Sequence, residues 1–439
     1  MKPNTMNLER LIIQGGTPLC GNVAIYGAKN SALVLMAAAV LGKQDIIVLE
    51  NTPRLADIEI MADVLRSLGA KVRFTEHHTL EIDPREINKT MAPYELVTKM
   101  RASFFVLGPL LARMGEARVS LPGGCAIGSR PVDIHLKGLE AMGATIEIEH
   151  GDVIAQADKL VGADIHLNFP SVGATENLMM AASLAEGTTR LYNAAREPEI
   201  IDLANFLKAM GAKIEGAGSD TIIIEGVKDL KQPVYYSVMP DRIEAGTFMI
   251  AAAITKGDVI LERAPVHELE SLSVKLREAN VMIETIDHQT LRVQGRRPIL
   301  ATDVRTMPHP GFPTDMQAQF AAMMALAHGT SRITETVFEN RFMYVDELQR
   351  MGANIRIEGN TATIVGQPRL SGAPVQATDL RAAAALVLAG LVADGETIVS
   401  NLFYLDRGYE AFEKRLAQLG ARTCRISTSA QKSEAIGTY

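Results

Sequence analysis

The stretch Leu121-Pro122-Gly123-Gly124-Cys125-Ala126-Ile127-Gly128-Ser129-Arg130-Pro131 places a thiol on a glycine-rich backbone five residues before a guanidinium. Glycines let backbone N–H groups approach a ligand, and arginine adds a fixed charge with a planar donor fork. Such a segment can hold an anion beside a reactive sulfur. Taken alone, Cys125 also fits a small hydrophobe at the end of a strand. Further polar residues recur as Lys29-Asn30-Ser31, Arg101-Ala102-Ser103, Gly173-Ala174-Thr175-Glu176, Asp241-Arg242, Thr314-Asp315 and Asp379-Leu380-Arg381. Each group opens an apolar run. If those runs are helices, their first turns carry unpaired N–H groups and partial positive charge, which favours anions. Ordinary capping also accounts for Asn30, Ser103, Thr314 and Asp315.

The elements that must position these residues form a repeat. A helix end of the form Leu-x-x-x-Gly-Ala precedes a strand at 65–70, 139–144, 207–212, 348–353 and 416–421, with a degenerate copy at 276–281. Its glycine, or Asn280 in the fourth copy, falls at 69, 143, 211, 280, 352 and 420, a period of about 70 residues. Gly42, Gly115, Gly187, Gly257, Gly329 and Gly395 form a second series, each between an apolar helix and a β-branched strand. Both series fit left-handed helix C-termini. Within a copy the order reads apolar helix, strand, amphipathic helix, then a hairpin such as Ile355-Arg356-Ile357-Glu358, Gly359-Asn360, Thr363-Ile364-Val365. The first helices, as at 32–41, 248–254 and 382–393, are apolar all round and belong inside. The second helices keep Asp63, Arg66, Asp346 and Arg350 on an outer face. Six α/β units of this kind predict two globular halves of three units each.

Composition bounds the function. A chain of 439 residues with 47% hydrophobic content exceeds one ordinary core. Its net charge of -7 gives no basic footprint for nucleic acid. The first residues lack a signal sequence, and apolar runs such as 382–393 are too short for a bilayer, so a soluble cytoplasmic protein is expected. Cys20, Cys125 and Cys424 suggest neither a disulfide framework nor a zinc site, and the nine histidines contain no HExxH motif. No metal, no cofactor and no obligatory protein partner is expected.

Several of these stretches together resemble the UDP-N-acetylglucosamine 1-carboxyvinyltransferase family. They are Gly27-Ala28-Lys29-Asn30, the Cys125 loop through Val132-Asp133, Ser171-Val172-Gly173-Ala174-Thr175, Phe312-Pro313-Thr314-Asp315-Met316-Gln317-Ala318-Gln319-Phe320, Val337-Phe338-Glu339-Asn340-Arg341-Phe342 and Asp406-Arg407-Gly408-Tyr409-Glu410. The similarity runs from about residue 11 to 426. It implies the inside-out α/β barrel of the enolpyruvyl transferases, with two domains of three repeated units and buried central helices. One domain would span 29–239; the other would join 1–28 to 240–439, with 427–439 a flexible tail and the active site in the cleft between them.

The implied reaction moves the enolpyruvyl group of phosphoenolpyruvate to the 3'-hydroxyl of UDP-N-acetylglucosamine and releases phosphate, the first committed step of peptidoglycan synthesis. By the same resemblance Cys125 is the proton donor, able to add covalently to phosphoenolpyruvate or be alkylated by fosfomycin, and Asp315 is the base. Lys29, Arg130 and Arg407 would hold the donor's phosphate and carboxylate, with Asp379 a participant in proton transfer. Lys29, Asn30, Arg101, Arg130, Pro131, Val132, Asp133, Ile134, Ser171, Val172, Gly173, Asp315, Val337 and Arg381 would bind substrate. Arg341 and Glu339 would support them. One departure is Phe169, where some members carry a nucleotide-contacting lysine. A 3-phosphoshikimate 1-carboxyvinyltransferase-like enzyme shares fold and donor, but its pattern is Ser-Lys-Ser where this chain has Ala28-Lys29-Asn30, and it lacks the Pro-Gly-Gly-Cys loop. A nucleic-acid end-processing enzyme with a related repeat, which the net charge of -7 and the motifs oppose, a nonenzymatic repeat scaffold and a catalytically silent paralogue are the remaining alternatives. From Gly115 to Gly143 there are 28 steps, against 23 from Gly329 to Gly352, so the Cys125 loop is enlarged as a lid would be.

Overall fold

The computed structural model describes residues 8–122, 132–231 and 234–428. Among them the repeat appears as six four-stranded sheets of one pattern. In the second unit, Met91–Ala92 runs parallel to Glu116–Ser120, which is antiparallel to Asp152–Gln156, itself in a hairpin with Thr145–Glu149. The strands bury alternate residues: Ala362 and Ile364 face inward from Thr361–Val365, while Val365 is exposed.

The first helix of each unit fills the interior. In Arg242–Ile254 every residue from Ile243 to Ile254 is buried, as an apolar sequence without a polar stripe requires. A β-carbon at Gly246 would stand 2.7 Å from a Leu272 methyl, so a small residue is needed where that helix meets its neighbour. The second helices are amphipathic. Ala56–Leu68 buries Ile58, Met61, Leu65 and Leu68 and exposes Asp63 and Arg66. Helices inside and sheets outside give the inside-out α/β arrangement expected, although the six sheets stay separate and no closed barrel forms among the described residues.

Two hydrophobic cores result. One gathers buried residues from Ala32 to Val238; the other takes Leu11 to Ile25 together with Ile243 to Ala421. The chain passes between them at two adjacent places, where Gly27 bridges Pro240 and the Ala28 N–H donates to the Met239 carbonyl at 2.7 Å. A β-carbon on Gly27 would lie 1.8 Å from the Asn51 carbonyl oxygen, so this crossing demands glycine. The N-terminal strands belong to the far core. Cys20–Ala24 pairs in parallel with Asp258–Glu262, and Leu8–Gln14 sits between Glu396–Ser400 and Arg422–Thr428.

The two glycine series behave differently. Gly69, Gly143, Gly211, Asn280, Gly352 and Gly420 are all left-handed, with φ from 72° to 112°. In the second series Gly115, Gly187, Gly329 and Gly395 are left-handed, but Gly42 and Gly257 are not. The helix before Gly42 tightens into a 3-10 turn over Ala39–Leu41, which leaves Gly42 extended at φ -71°. At the other site Lys256 takes the positive φ of 55°, and Gly257 is needed because a β-carbon would meet the Leu19 carbonyl oxygen at 2.3 Å. No helix among the described residues is long and apolar enough to cross a membrane.

Gly352 has φ 93° and open space around its missing β-carbon, so it isolates the backbone effect. Gly352→Ala should cost about 1 kcal/mol through φ alone, and Asn280→Gly should be neutral or slightly stabilising. Chemical denaturation of the two variants checks both signs.

Candidate active site

Between the two cores lies a cleft of about 570 Å³, lined from both sides. The first core contributes Lys29, Asn30, Arg101, Val132, Ile134, Ser171, Val172 and Gly173; the second contributes Asp315, Val337 and Arg407. The starts of five of the six buried helical segments therefore reach the cleft, counting Arg242 at the fourth. The sixth acts indirectly, because Arg381 donates to Asp315 Oδ2 at 2.9 Å. Cys125, Arg130 and Pro131 lie outside the described residues. Pro122 and Val132, the described residues on either side of that segment, both line the cleft.

Capping is done by other residues than those expected. Ser171 Oγ accepts from the Ala174 N–H, Asp241 from those of Ile243 and Glu244, and Asp379 from those of Arg381 and Ala382. Asn30, Ser103, Thr314 and Asp315 are not N-caps: their helices are preceded by Ala28, Met100 and Pro313, none of which makes a side-chain cap bond. Thr314 instead donates to Glu335 Oε2 at 2.9 Å, and Asp315 faces two guanidiniums. Asp379, expected at the reaction, has a carboxylate engaged as a cap and is not among the cleft-lining residues. Asp133 likewise stays outside, paired with Lys137 at 3.2 Å on an exposed helix face.

Lys29 and Arg407 come from opposite cores and meet at one carboxylate that the sequence reading had passed over. Asp57, with 1% of its surface exposed, accepts from Lys29 Nζ at 3.1 Å and from Arg407 Nε at 2.8 Å. Burial pushes the Asp57 carboxyl up, but Lys29 and Arg407 outweigh it and hold the group below its usual range. For Lys29 burial dominates, and with the nearby Arg381 and Arg407 it lowers the ammonium against the pull of Asp57. The result is a cation pair held by an internal anion at the bottom of a cleft.

Asp315 is oriented in a similar way, with Arg341 on Oδ1 and Arg381 on Oδ2. This carboxylate is 28% exposed and faces the cleft, whereas Arg341 and Arg381 are buried behind it. A third polar cluster was not anticipated. Glu176, Glu197 and Glu199 of the first core line the cleft beside Arg242 of the second, which bonds Glu199 at 3.2 and 3.3 Å. Burial raises Glu176 well above the usual carboxylate range and raises Glu197 too, which favours their neutral forms. The expected anion receptor is thus a balanced site, because acids at the starts of the amphipathic helices meet cations at the starts of the apolar ones. Phe105 and Phe169 add apolar surface to the wall that carries Gly173. Phe169, 45% exposed, lines the cleft, and a β-carbon on Gly173 would crowd Phe105 and His135 at 3.1 and 3.3 Å.

His135 lines the same wall, its Nδ1 3.2 Å from Asn177 Nδ2. Burial first, then the charge of Arg101, push it down to about 4 from 6.5. A folded-state value below the unfolded one means that the unfolded chain takes up the proton first as pH falls. Stability should therefore be complete above about 6.5 and drop, by on the order of 3 kcal/mol, as pH falls toward 4. Urea midpoints across that range check it, and His135→Gln should flatten the slope. Asp57→Asn should lower the Lys29 ammonium further by removing the charge that raises it. The basic limb of the pH–rate profile should then move to lower pH, a shift that steady-state assays would show.

Comparison with known proteins places this geometry. The family model for EPSP synthase (3-phosphoshikimate 1-carboxyvinyltransferase) matches residues 13–416. UDP-N-acetylglucosamine 1-carboxyvinyltransferase 2 of Carboxydothermus hydrogenoformans is 56% identical over 96% of this chain and 100% of its own length. The UDP-N-acetylglucosamine 1-carboxyvinyltransferase of Thermodesulfovibrio yellowstonii is 52% identical over 95% of this chain and 100% of its own. Among solved structures, the enolpyruvyl transferase NikO from Streptomyces tendae superposes with a TM-score of 0.87 at 26% identity, covering 96% of this chain and 100% of that one. EPSP synthase from Acinetobacter baumannii, at 17% identity, shares the fold with a TM-score of 0.75 over 96% of this chain and 100% of its own. Matched over nearly all of its length by relatives more than half identical to it, the chain belongs to the UDP-N-acetylglucosamine 1-carboxyvinyltransferase family of the enolpyruvyl transferases.

Proposed function

We propose that this protein transfers the enolpyruvyl group of phosphoenolpyruvate to the 3'-hydroxyl of UDP-N-acetylglucosamine, releasing phosphate on the route to peptidoglycan. The observation that carries the reading is the meeting of Lys29 and Arg407, from opposite sides of the cleft, beside the oriented Asp315 carboxylate. The donor is a phosphate and a carboxylate on one three-carbon unit, and a lysine with an arginine suits such a dianion. With Arg130 they would hold it.

The chemistry divides into addition and elimination. Asp315 takes the proton of the sugar 3'-hydroxyl as that oxygen bonds to C2 of phosphoenolpyruvate, while Cys125 gives a proton to C3. The tetrahedral phosphoketal then loses a proton from C3 as its C2–O bond to phosphate breaks, leaving the enol ether and free phosphate. Arg341 and Arg381 orient the Asp315 carboxylate. Asn30, Arg101, Val132, Ile134, Ser171, Val172, Gly173 and Val337 make up the nucleotide-sugar side, with Phe169 offering an apolar face in place of a cation; Asp133, outside the cleft, joins them by resemblance alone. Arg130 and Pro131 belong to the same side by resemblance. Asp379 assists by capping the helix that carries Arg381. Cys125 acts as proton donor and is open to a covalent adduct.

In this reading the two cores are domains, 29–239 and 1–28 with 240–439, that close on the nucleotide sugar before phosphoenolpyruvate reacts. Small soluble substrates fit action in the cytoplasm, with no nucleic acid, membrane, cofactor or protein partner in the reaction.

Phosphate release with both substrates is the deciding measurement; no release by wild-type protein that binds UDP-N-acetylglucosamine would end the catalytic reading. Release only with 3-phosphoshikimate as acceptor would move the assignment to that substrate. Asp315→Asn should lower kcat by about a hundredfold or more while the nucleotide sugar still binds. Fosfomycin should add once to the wild type by intact mass and not to Cys125→Ala. A Cys125→Asp protein that turns over without the adduct would make proton donation, and not covalency, the needed role.

A further inference from the structure

The turn that carries Arg407 is seated rigidly on its own core. A β-carbon at Gly408 would stand 2.3 Å from a Leu380 methyl, so the turn lies directly against the helix Leu380–Gly390. Tyr409 is 2% exposed, and its hydroxyl lies 2.9 Å from Thr247 Oγ1 and accepts from Gln319 Nε2 at 3.2 Å. Ala411 follows in the left-handed region at φ 46°, a conformation that a non-glycine residue holds only when its surroundings impose it. Arg407 and Glu410 therefore project from one fixed frame.

Both side chains cross to the other core and reach the same helix start. Arg407 reaches Asp57, in the first turn of Ala56–Leu68, and Glu410 Oε2 accepts from the Arg54 N–H at 2.6 Å just ahead of that helix. His78 Nε2 completes the attachment, 3.0 and 3.1 Å from the two Glu410 oxygens. A carboxylate can only accept, so Nε2 carries the proton. The receiving surface is also braced. Within it the His78 carbonyl accepts from the Thr52 N–H at 2.8 Å, and the His78 ring packs on Tyr26 of the Arg407 side with centroids 4.5 Å apart. The Arg54 guanidinium lies 3.6 Å over the Phe74 ring and donates to the His77 carbonyl at 2.9 Å.

We propose that Glu410 is a positioning residue: it docks the Arg407 turn onto the opposite core through Arg54 N–H and His78, and so sets where Arg407 stands in the cleft. One attachment fixes a distance; two attachments on one helix start also fix rotation. Without Glu410 the Arg407–Asp57 contact becomes a pivot, and the guanidinium is presented to the donor in many orientations. The nucleotide-sugar side, which is built on other elements, is left as it was. The proposal rests on Arg407 being a donor-binding residue.

Glu410→Ala should raise KM for phosphoenolpyruvate about tenfold, with the affinity for UDP-N-acetylglucosamine unchanged and the melting temperature close to wild type. Glu410→Gln keeps an oxygen for the Arg54 N–H and should recover most of that loss. An unchanged KM for phosphoenolpyruvate in Glu410→Ala, or an equal loss for both substrates, overturns the proposal. If Glu410→Ala fails to fold, the same split is read in His78→Phe, where an unchanged KM for phosphoenolpyruvate overturns the proposal. A readout without turnover separates this idea from the catalytic one. In substrate-free protein, amide hydrogen exchange at 52–58 and 404–410 should quicken together in Glu410→Ala, and equal exchange in variant and wild type overturns the docking role even if phosphate release is never seen.

Discussion

One carboxylate holds the site together. Asp57 is almost wholly buried and is shared by a lysine of its own core and an arginine of the other, so its charge fixes both the contents of the cleft and the relation of its walls. A buried charge without partners is costly, and removal of one partner leaves the others uncompensated. The three groups consequently stay together until another anion competes for the two cations. An incoming dianion meets that condition, since it can take hydrogen bonds from Lys29 and Arg407 that are otherwise directed at Asp57.

The same economy governs the rest of the cleft. Arg242 faces Glu199, and Arg381 and Arg341 face Asp315, so these cations at the cleft are matched by acids. Convergent helix N-termini would otherwise repel the arginines that stand on them. Glu176 and Glu197 extend the logic in the other direction, because burial raises both carboxyls and so opposes further negative charge in the site.

Much of this architecture could be read in advance, and the reasons differ by residue. The six-fold repeat was legible because Gly69, Gly143, Gly211, Gly352 and Gly420, with Asn280, end their helices in a conformation few residues tolerate. Gly42 and Gly257 misled because glycine also serves close approach, which leaves no separate mark in one sequence. Lys29, Arg101 and Asp315 stood out as charges at the mouths of apolar helices. Asp57, Glu197 and Glu199 did not, because an acid at the start of an amphipathic helix reads as ordinary dipole complementation. A first-turn acid that is buried, as Asp57 is, would have been the distinguishing sign, and burial is a tertiary fact. Glu410 and His78 meet across more than three hundred residues, a separation that no local pattern announces.

The placement of the N-terminal strand has a consequence for how the molecule is made. Leu8–Gln14 is hydrogen-bonded on one side to Glu396–Ser400 and on the other to Arg422–Thr428, so an early strand is completed by strands synthesised several hundred residues later. The core built from Ala32 to Val238 has its members in one continuous stretch and can consolidate while the chain is still emerging. The other core must keep two early strands, the first of them rich in leucine and isoleucine, unpaired for the whole of that time. Those strands stay exposed during biosynthesis, and the cleft acquires its second wall only after Arg407 has been made.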